Sequence, residues 1–267
     1  METALITGAS TGIGYELAHL FAQNHYDLVI IARHQDKLEE MAAQFERKYG
    51  VHVIPHVCDL TDPAAPDSIF QEMERQKIHV DVLVNNAGFG IYGLFAASDI
   101  KQQLEMVQLN VTALTHLTRL FLSGMVARKS GKILNVASTA AFQPGPLMAV
   151  YYATKAYVLF FSEAVANELK GTGVTMTVLC PGPTASQFQR RAGIEKTRLV
   201  KTGMMTAAQV ARIGYRALMK GQPVVVAGWR NKIFAFLIRF SPRQLAVRIV
   251  RALQEERMKQ EPPRVHV

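Results

Sequence analysis

The chain has 267 residues, of which 49% are hydrophobic and 19% are charged, and its formal net charge at pH 7 is +9. This composition excludes a disordered polymer and provides for a sizeable core in one large domain or two small ones. No stretch approaches the roughly 20 apolar residues that a membrane-spanning helix needs, so we do not expect a spanning protein.

Short β-branched runs alternate with longer helical patterns along most of the chain. The predicted strands cover residues 3–7, 28–32, 51–57, 80–85, 132–137, 174–179 and 224–226. Seven strands separated by helices predict an α/β protein with a Rossmann-type, doubly wound parallel sheet and helices on both faces.

Several helix boundaries are signalled locally. Gly50 is a predicted C-cap, Thr61 or Asp62 before Pro63 predicts a helix start, and Thr206 with Gln209 predicts a capping box. Without a repeat or a linker, we expect a single domain over residues 1–267. An irregular excursion at about 182–206 and a C-terminal extension at about 228–267 complete it.

The N-terminal residues and the two cysteines indicate the cellular compartment. The N-terminal residues lack the basic start and long apolar run of a secretory signal, and Cys58 and Cys180 suit buried thiols better than a disulfide framework. We therefore expect a cytoplasmic protein.

The positive charge is concentrated near the C-terminus. From Trp229 onward nine basic residues face three acidic ones, which contributes +6 of the total. No helix-turn-helix, zinc-finger or RNA-binding signature accompanies this charge, so nucleic-acid binding is not predicted.

A glycine-rich turn follows the first predicted strand. Gly8, Gly12 and Gly14 stand where a strand passes into a helix, and such a turn brings the backbone close to a pyrophosphate at the positive end of the helix. The spacing G-x-x-x-G-x-G departs from the common dinucleotide-binding G-x-G-x-x-G. A tight turn with close helix packing is the alternative interpretation.

The residues at the end of the second predicted strand indicate which dinucleotide cofactor the chain would bind. Asp27 lies at the far edge of the sheet, whereas Arg33 and His34 follow the strand's carboxyl end, where ligands of open α/β sheets bind. Arg33 offers a guanidinium suited to a 2′-phosphate, which favours NADP(H) over NAD(H). A solvated surface arginine is the alternative.

An ordered series of motifs resembles the short-chain dehydrogenase/reductase family, its NADP-preferring carbonyl and 3-oxoacyl reductase branch included. The motifs are Thr7 to Gly14, Asp59-Leu60, Asn85-Asn86-Ala87-Gly88, Asn110, Ser138, Tyr151 with Lys155, and Pro181-Gly182. The resemblance covers about residues 1 to 220 and implies a nicotinamide-dependent oxidoreductase. Thr11 stands where many NADP-preferring relatives carry a basic residue, so the cofactor prediction rests mainly on Arg33.

The residues discussed above and the resemblance together give a set of cofactor-binding candidates. It assigns Asp59 to the adenine end, and a structural role is favoured for Asn85. The candidates are Gly8, Ser10, Thr11, Gly12, Ile13, Gly14, Arg33, Asp59, Leu60, Asn86, Ala87, Gly88, Tyr151, Lys155, Pro181, Gly182 and Thr184.

The stretch YYATK contains two tyrosines and a lysine on a predicted helix. Both Tyr151 and Tyr152 can approach Lys155, because residues three or four apart on a helix are neighbours. The Y-x-x-x-K pattern of the family that the chain resembles selects Tyr151 as the acid/base. We expect the adjacent Lys155 ammonium to lower the pKa of the Tyr151 phenol.

Two further residues complete the catalytic candidates. Ser138 ends the fifth strand, where its hydroxyl can hold a substrate carbonyl, with strand capping as the alternative. Asn110 interrupts a helical pattern; the resemblance implies a water that links Lys155 to solvent, and a structural amide is the alternative. No metal site is expected, since His52 and His56 lack a third ligand, and no hydrolase elbow surrounds Ser138.

The excursion at about 182–206 and its mixed composition indicate the class of substrate. The excursion, read as a lid, mixes apolar with basic residues: Phe188, Ile194, Leu199, Met204 and Met205 with Arg190, Arg191, Lys196, Arg198 and Lys201. This favours an apolar ketone or aldehyde, or else a 3-oxoacyl thioester; a solvated loop and a non-catalytic NADP-binding regulator are the alternatives.

The extension has apolar residues at helical spacing beside basic ones, including Ile233, Phe236 and Phe240. Packing or closure of the pocket is favoured over contact with an anionic membrane, because such stripes usually face protein. The resemblance also suggests a homodimer or homotetramer through the helices that carry Asn110 and Tyr151.

Overall fold

The computed structural model describes residues 1–194, 197 and 204–255. Its strands are β1 Thr3–Thr7, β2 Asp27–Ala32, β3 Val53–Val57, β4 Val82–Asn85, β5 Gly131–Val136, β6 Val174–Cys180, β7 Thr184–Ala185, β8 Met205–Thr206 and β9 Val224–Val226. Seven of them form a parallel sheet in the order β3-β2-β1-β4-β5-β6-β9. The predicted fold class is confirmed.

Alternation along the central strands explains why helices cover both faces of the sheet. Ala4 and Ile6 of β1 belong to one buried cluster, whereas Leu5 between them belongs to another. Successive side chains of a strand point to opposite faces, so a strand that is apolar throughout must be covered twice.

Helices cover both faces of the sheet. They are α1 Gly12–Gln23, α2 Gln35–Tyr49, α3 Ala65–Arg75, α4 Ile100–Val107, α5 Leu114–Arg128, α6 Ala149–Glu168, α7 Phe188–Ala192, α8 Ala207–Met219, α9 Trp229–Leu237 and α10 Arg243–Gln254. Buried residues of α1, α2 and α8 share one cluster with the sheet, and those of α3 and α5 share the other. The carboxyl ends of the strands remain free of both layers.

A π-helical segment, Gln108–Ala113, joins α4 to α5. Single wide turns of this kind often lie at functional sites. The sequence pattern predicts one continuous helix there, so the break in register is a finding of the structure.

The local boundary signals had different outcomes. Gly50 caps α2 in the left-handed conformation at φ 65°, and Thr206 with Gln209 forms the capping box of α8, so both predictions are confirmed. The predicted helix start at Pro63 is wrong. Asp59 and Asp62 instead accept bonds from the N–H groups of Thr61 and Ala64, and α3 begins at Ala65.

The excursion after β6 is held at its base by a two-residue parallel ladder between β7 and β8. Residues 195, 196 and 198–203 of the predicted lid lie outside the described residues, among them Lys196, Arg198, Leu199 and Lys201. Within the described part of the chain, no helix has the length and apolar character needed to cross a bilayer.

Candidate active site

A cleft of about 1150 Å³ opens at the carboxyl ends of the strands. Nearly all the predicted site residues line it, and the exceptions are Gly14 and Asn110. The parallel sheet explains this convergence, because residues that directly follow β1, β4, β5 and β6 must meet at the same edge.

The glycine-rich turn forms one end of the cleft. Gly8 and Gly12 have positive φ values of 66° and 61°, which side chains disfavour. A Cβ on Gly14 would lie 2.3 Å from the carbonyl oxygen of Gly8, so the turn and α1 can approach only without that carbon. Among the described residues, the Thr11 side chain caps no N–H group of α1. The first N–H groups of this helix are therefore free to bind an anion from the cleft.

Hydrogen bonds tie the glycine-rich turn to the segment after β4. The Thr7 hydroxyl accepts from the N–H groups of Asn86 and Ala87, both at 3.0 Å, and the Asn86 amide donates to the carbonyl of Thr7 at 2.9 Å. Asn86 thus holds the turn while lining the cleft.

Asn85, by contrast, points into the core. Its amide donates to Thr118 at 3.0 Å and to Asn135 at 2.9 Å. These contacts agree with the structural role that the sequence favours for Asn85.

Arg33 and Asp59, both predicted to contact the adenosine part of a cofactor, lie together in the cleft. Their side chains are about half exposed and form an ion pair at 3.6 Å. Burial alone would raise the pKa of Asp59, but hydrogen bonds from Thr61 and the charge of Arg33 lower it overall. The pair therefore carries little net charge, and Arg33 keeps donors that face the cleft.

Ser138 and Tyr151 meet at the floor of the cleft. The Ser138 oxygen accepts from Ala140 N at 3.1 Å, and its hydroxyl donates to Pro181 O at 3.4 Å. Burial raises the pKa of Tyr151 to about 12, and the neighbouring Ser138 hydroxyl opposes this increase. At neutral pH Tyr151 is therefore a protonated phenol positioned to donate.

Lys155 is buried beside Tyr151. Its ammonium donates to the carbonyl of Val136 at 2.8 Å and lies 5.9 Å from the centre of the Tyr151 ring, and burial lowers its pKa to about 8. The expectation that Lys155 lowers the pKa of Tyr151 is not met in the protein alone. Burial of the phenol dominates, and the ammonium is directed to a backbone oxygen.

Asn110 lies behind Lys155 in the π-helical segment and is buried. Its oxygen accepts from Phe89 N at 3.1 Å, and its amide donates to Phe89 O at 2.9 Å and to the Thr154 hydroxyl at 3.1 Å. A Cβ on Gly88 would lie 2.9 Å from the Asn110 oxygen and 3.4 Å from the Lys155 nitrogen. The water link to solvent stays a prediction.

Tyr152 has a different set of contacts. Gln254 of α10 donates to its hydroxyl at 2.7 Å, and Tyr92 donates to the backbone oxygen of Gln254 at 2.5 Å. The sequence analysis missed Gln254 and Tyr92. A contact between positions 102 residues apart leaves no local signal in a single sequence.

Beyond Tyr151 the cleft is mostly apolar. Its wall is made by Phe89, Ile91, Met148, Phe188, Ile194, Phe234, Val250 and Leu253. The ring of Phe188 lies 5.4 Å from that of Tyr151, centre to centre. Because Phe234, Val250 and Leu253 belong to α9 and α10, the C-terminal extension closes one side of the pocket, as the sequence favours.

The extension is also fixed against the segment after β6. A Cβ on Gly182 would overlap the side chain of Asn231, which itself donates to Ala227 O at 2.6 Å. This docking brings α9 to the mouth of the cleft, where Trp229 and Arg230 line it.

Two relatives are both described as very-long-chain 3-oxoacyl-CoA reductase. The one from Bos taurus is 29% identical over 268 residues, which cover 95% of this chain and 83% of the relative. The one from Phaeosphaeria nodorum is 35% identical over 175 residues, 64% of this chain. The match spans about half, 51%, of that fungal protein.

Two solved structures have the same fold. A short-chain dehydrogenase from Sphingobium yanoikuyae in complex with NADPH has a TM-score of 0.81 and 30% identity, covering 90% of this chain and 94% of the other. A bulky-bulky ketone specific alcohol dehydrogenase from Comamonas testosteroni has a TM-score of 0.77 and 25% identity, covering 100% and 97%.

The family model for short chain dehydrogenase matches residues 2–197. This match contains the glycine-rich turn and the Ser138, Tyr151 and Lys155 cluster described above. The chain therefore belongs to the short-chain dehydrogenase family.

Proposed function

We propose that the protein is an NADP(H)-dependent oxidoreductase that transfers hydride reversibly between the nicotinamide and an apolar ketone or aldehyde, or the corresponding secondary alcohol. One observation carries the proposal: the Ser138, Tyr151 and Lys155 cluster lies at the floor of a cleft whose outer wall is apolar.

The cleft suits a dinucleotide along its length. The uncapped start of α1 and the glycine-rich turn would hold the pyrophosphate, with Arg33 and Asp59 at the adenosine end and Lys155 with Pro181 and Gly182 at the nicotinamide end. When bound, the cofactor supplies or accepts the hydride.

The chain's own residues manage the proton and the charge. The Ser138 hydroxyl would bind the carbonyl oxygen, and Tyr151 would give it the proton that the developing alkoxide needs. The Lys155 ammonium would stabilise the phenolate left behind. Asn110 positions Phe89 and Thr154 around these groups through its three hydrogen bonds.

A 3-oxoacyl thioester is a second candidate substrate. The bovine relative, which matches 95% of this chain, is named for that reaction. The apolar wall suits a long acyl chain, and Arg230 at the mouth would face a phosphate of the thioester carrier.

The decisive assay follows NADPH absorbance with a set of apolar ketones and aldehydes beside 3-oxoacyl thioesters of matched chain length. Faster turnover of the thioesters selects the second candidate, and faster turnover of the ketones selects the first. NADPH binding without turnover of any carbonyl would favour the regulatory alternative instead. A homodimer or homotetramer through α4, α5 and α6 remains part of the proposal, and light scattering tests it.

Arg33→Ala is expected to weaken NADPH binding selectively. Losing a charge-assisted contact to the 2′-phosphate costs about 1.5–3 kcal/mol, or roughly a tenfold to hundredfold increase in Kd. NADH affinity should stay nearly constant, because NADH has no such phosphate. Fluorescence titration with both cofactors measures the ratio, and an equal change for the two would contradict the assignment of Arg33.

Carbonyl reduction is expected to slow as the pH rises through about 8. The pKa of Lys155 is lowered to about 8 and that of Tyr151 raised to about 12, so the lysine loses its proton first. A neutral lysine no longer stabilises the phenolate left by proton donation, which lowers the rate. The profile of kcat/KM against pH checks this, with Tyr152→Phe expected to keep the same midpoint. A flat profile would contradict it.

A further inference from the structure

The outer side of the C-terminal extension exposes a row of large apolar side chains. Five of them, which are between 50% and 73% exposed, lie in α9 and the short 3-10 turn after it: Trp229, Ile233, Phe236, Leu237 and Phe240. Exposed apolar surface gathered in this way marks an interaction site more often than a scatter of single residues does.

These residues share one face. Their spacing of i, i+4, i+7, i+8 and i+11 follows the helical period, and the rings of Phe236 and Phe240 lie 5.2 Å apart, centre to centre. Ala235 and Ile238, on the other side, are buried against the protein. In α10, Leu245 and Ile249 are also exposed, while Ala246 and Val250 are buried. The extension thus has an inner face that packs and an outer face that does not pack on the described chain.

Basic side chains border the outer face. Arg230, Lys232, Arg239, Arg243 and Arg248 are all exposed. Within the described residues, none of the five forms an ion pair with a carboxylate; the ion pair in this region joins Arg251 to Glu255. Charge and apolar surface are therefore presented together.

We propose that this outer face, Trp229 to Ile249, docks on the surface of an anionic lipid bilayer. An interfacial helix inserts its apolar side chains at the boundary of headgroups and acyl chains, while lysine and arginine reach the anionic headgroups. Tryptophan is well suited to that boundary, because its ring is apolar and its N–H is polar.

The charge of the outer face favours an anionic bilayer over a second copy of the chain as its partner. A symmetric dimer through the same face would bring five exposed cations against five others, which is repulsive. An anionic bilayer supplies the opposite charge to the cations and an apolar interior to the aromatic rings. Trp229 and Arg230 also line the cleft, so docking would place its mouth at the membrane surface. The inference does not depend on the proposed reaction.

Trp229 provides the test, since it is the one tryptophan in the chain. Adding vesicles of phosphatidylcholine with phosphatidylglycerol is expected to shift its emission to the blue, and brominated acyl chains should quench it. Vesicles of phosphatidylcholine alone should bind far more weakly, and added salt should weaken binding to the anionic vesicles.

A double variant, Phe236→Ser with Phe240→Ser, is expected to bind anionic vesicles at least about a hundredfold more weakly, since two aromatic side chains no longer insert. Val57→Ser is the control. Val57 is 50% exposed at the end of β3, and β3 and β9 are opposite edges of the sheet. Both variants should keep the wild-type rate with a water-soluble ketone.

Three results would overturn the inference. One is unchanged Trp229 emission with anionic vesicles, and another is binding without quenching by the brominated chains, which means electrostatic adsorption only. The third is emission already blue-shifted without lipid and dependent on protein concentration, which means that another copy covers the face. If the wild type did not turn over any ketone, this would count against the proposed reaction and leave the lipid result unaffected.

Discussion

Replacing Tyr151 with phenylalanine is expected to lower kcat for carbonyl reduction by about 10²–10⁴-fold, because the substitution removes the acid and keeps the ring. The ring should still pack against Phe188, so the fold and the NADPH affinity should change little. Rapid-mixing kinetics at saturating NADPH, with thermal unfolding by circular dichroism, would measure both properties.

Tyr152→Phe is the matched control for this prediction. It also removes one buried phenolic oxygen, and it leaves the amide of Gln254 without its acceptor. That loss lowers the free energy of unfolding by about 1–3 kcal/mol, but it leaves the proposed proton donor in place. If Tyr152→Phe abolished turnover and Tyr151→Phe did not, the assignment of the acid would be reversed.

Lys155→Met is expected to give a protein that is inactive yet no less stable. Methionine has a similar length and fills the same space, but no charge is left to stabilise the phenolate, and kcat should fall at least about a hundredfold. Burial lowers the pKa of Lys155 from 10.5 to about 8, so keeping the ammonium at pH 7 costs about 3 kcal/mol. The lost bond to the Val136 carbonyl offsets about 1 kcal/mol or more of this gain.

Urea unfolding at two pH values tests whether the buried ammonium of Lys155 lowers the free energy of unfolding. The pKa of Lys155 is lower in the folded state, so the unfolded state binds more protons between about pH 8 and about pH 10.5. The wild type should therefore gain stability relative to Lys155→Met as the pH rises through that window. A variant that loses activity and several kcal/mol together at pH 7 would show Lys155 to be a structural residue.

The sequence was informative where the chemistry depends on the ends of strands. Asn86, Ser138 and Gly182 each lie within two residues of the end of a buried strand, and a parallel sheet brings such positions to one edge. The continuous apolar runs of strands such as β1 and β2 likewise predict two helical layers, because both faces of such strands must be covered. The fold and most of the cleft follow from these local signals.

What the sequence could not predict depends on contacts between distant positions. Gln254 meets Tyr152 only because α10 folds back over the pocket, and nothing near either residue encodes that approach. The pKa of Tyr151 has a similar origin, since it is set by burial of the whole pocket and not by the spacing to Lys155. Pro63 failed as a helix signal because Asp59 and Asp62 form local turns that compete for the same backbone.

The wide turn at Gln108–Ala113 has a consequence for how this chain can be redesigned. A π turn accommodates one residue more than an α-helix of equal rise. Deleting a residue there would let α4 run into α5 as a regular helix, with Leu117 and Phe121 still packed against the sheet. The amide of Asn110 would then rotate away from Phe89 and Thr154. Such a deletion would therefore remove the contacts of Asn110 while leaving the packing of the two helices on the sheet in place.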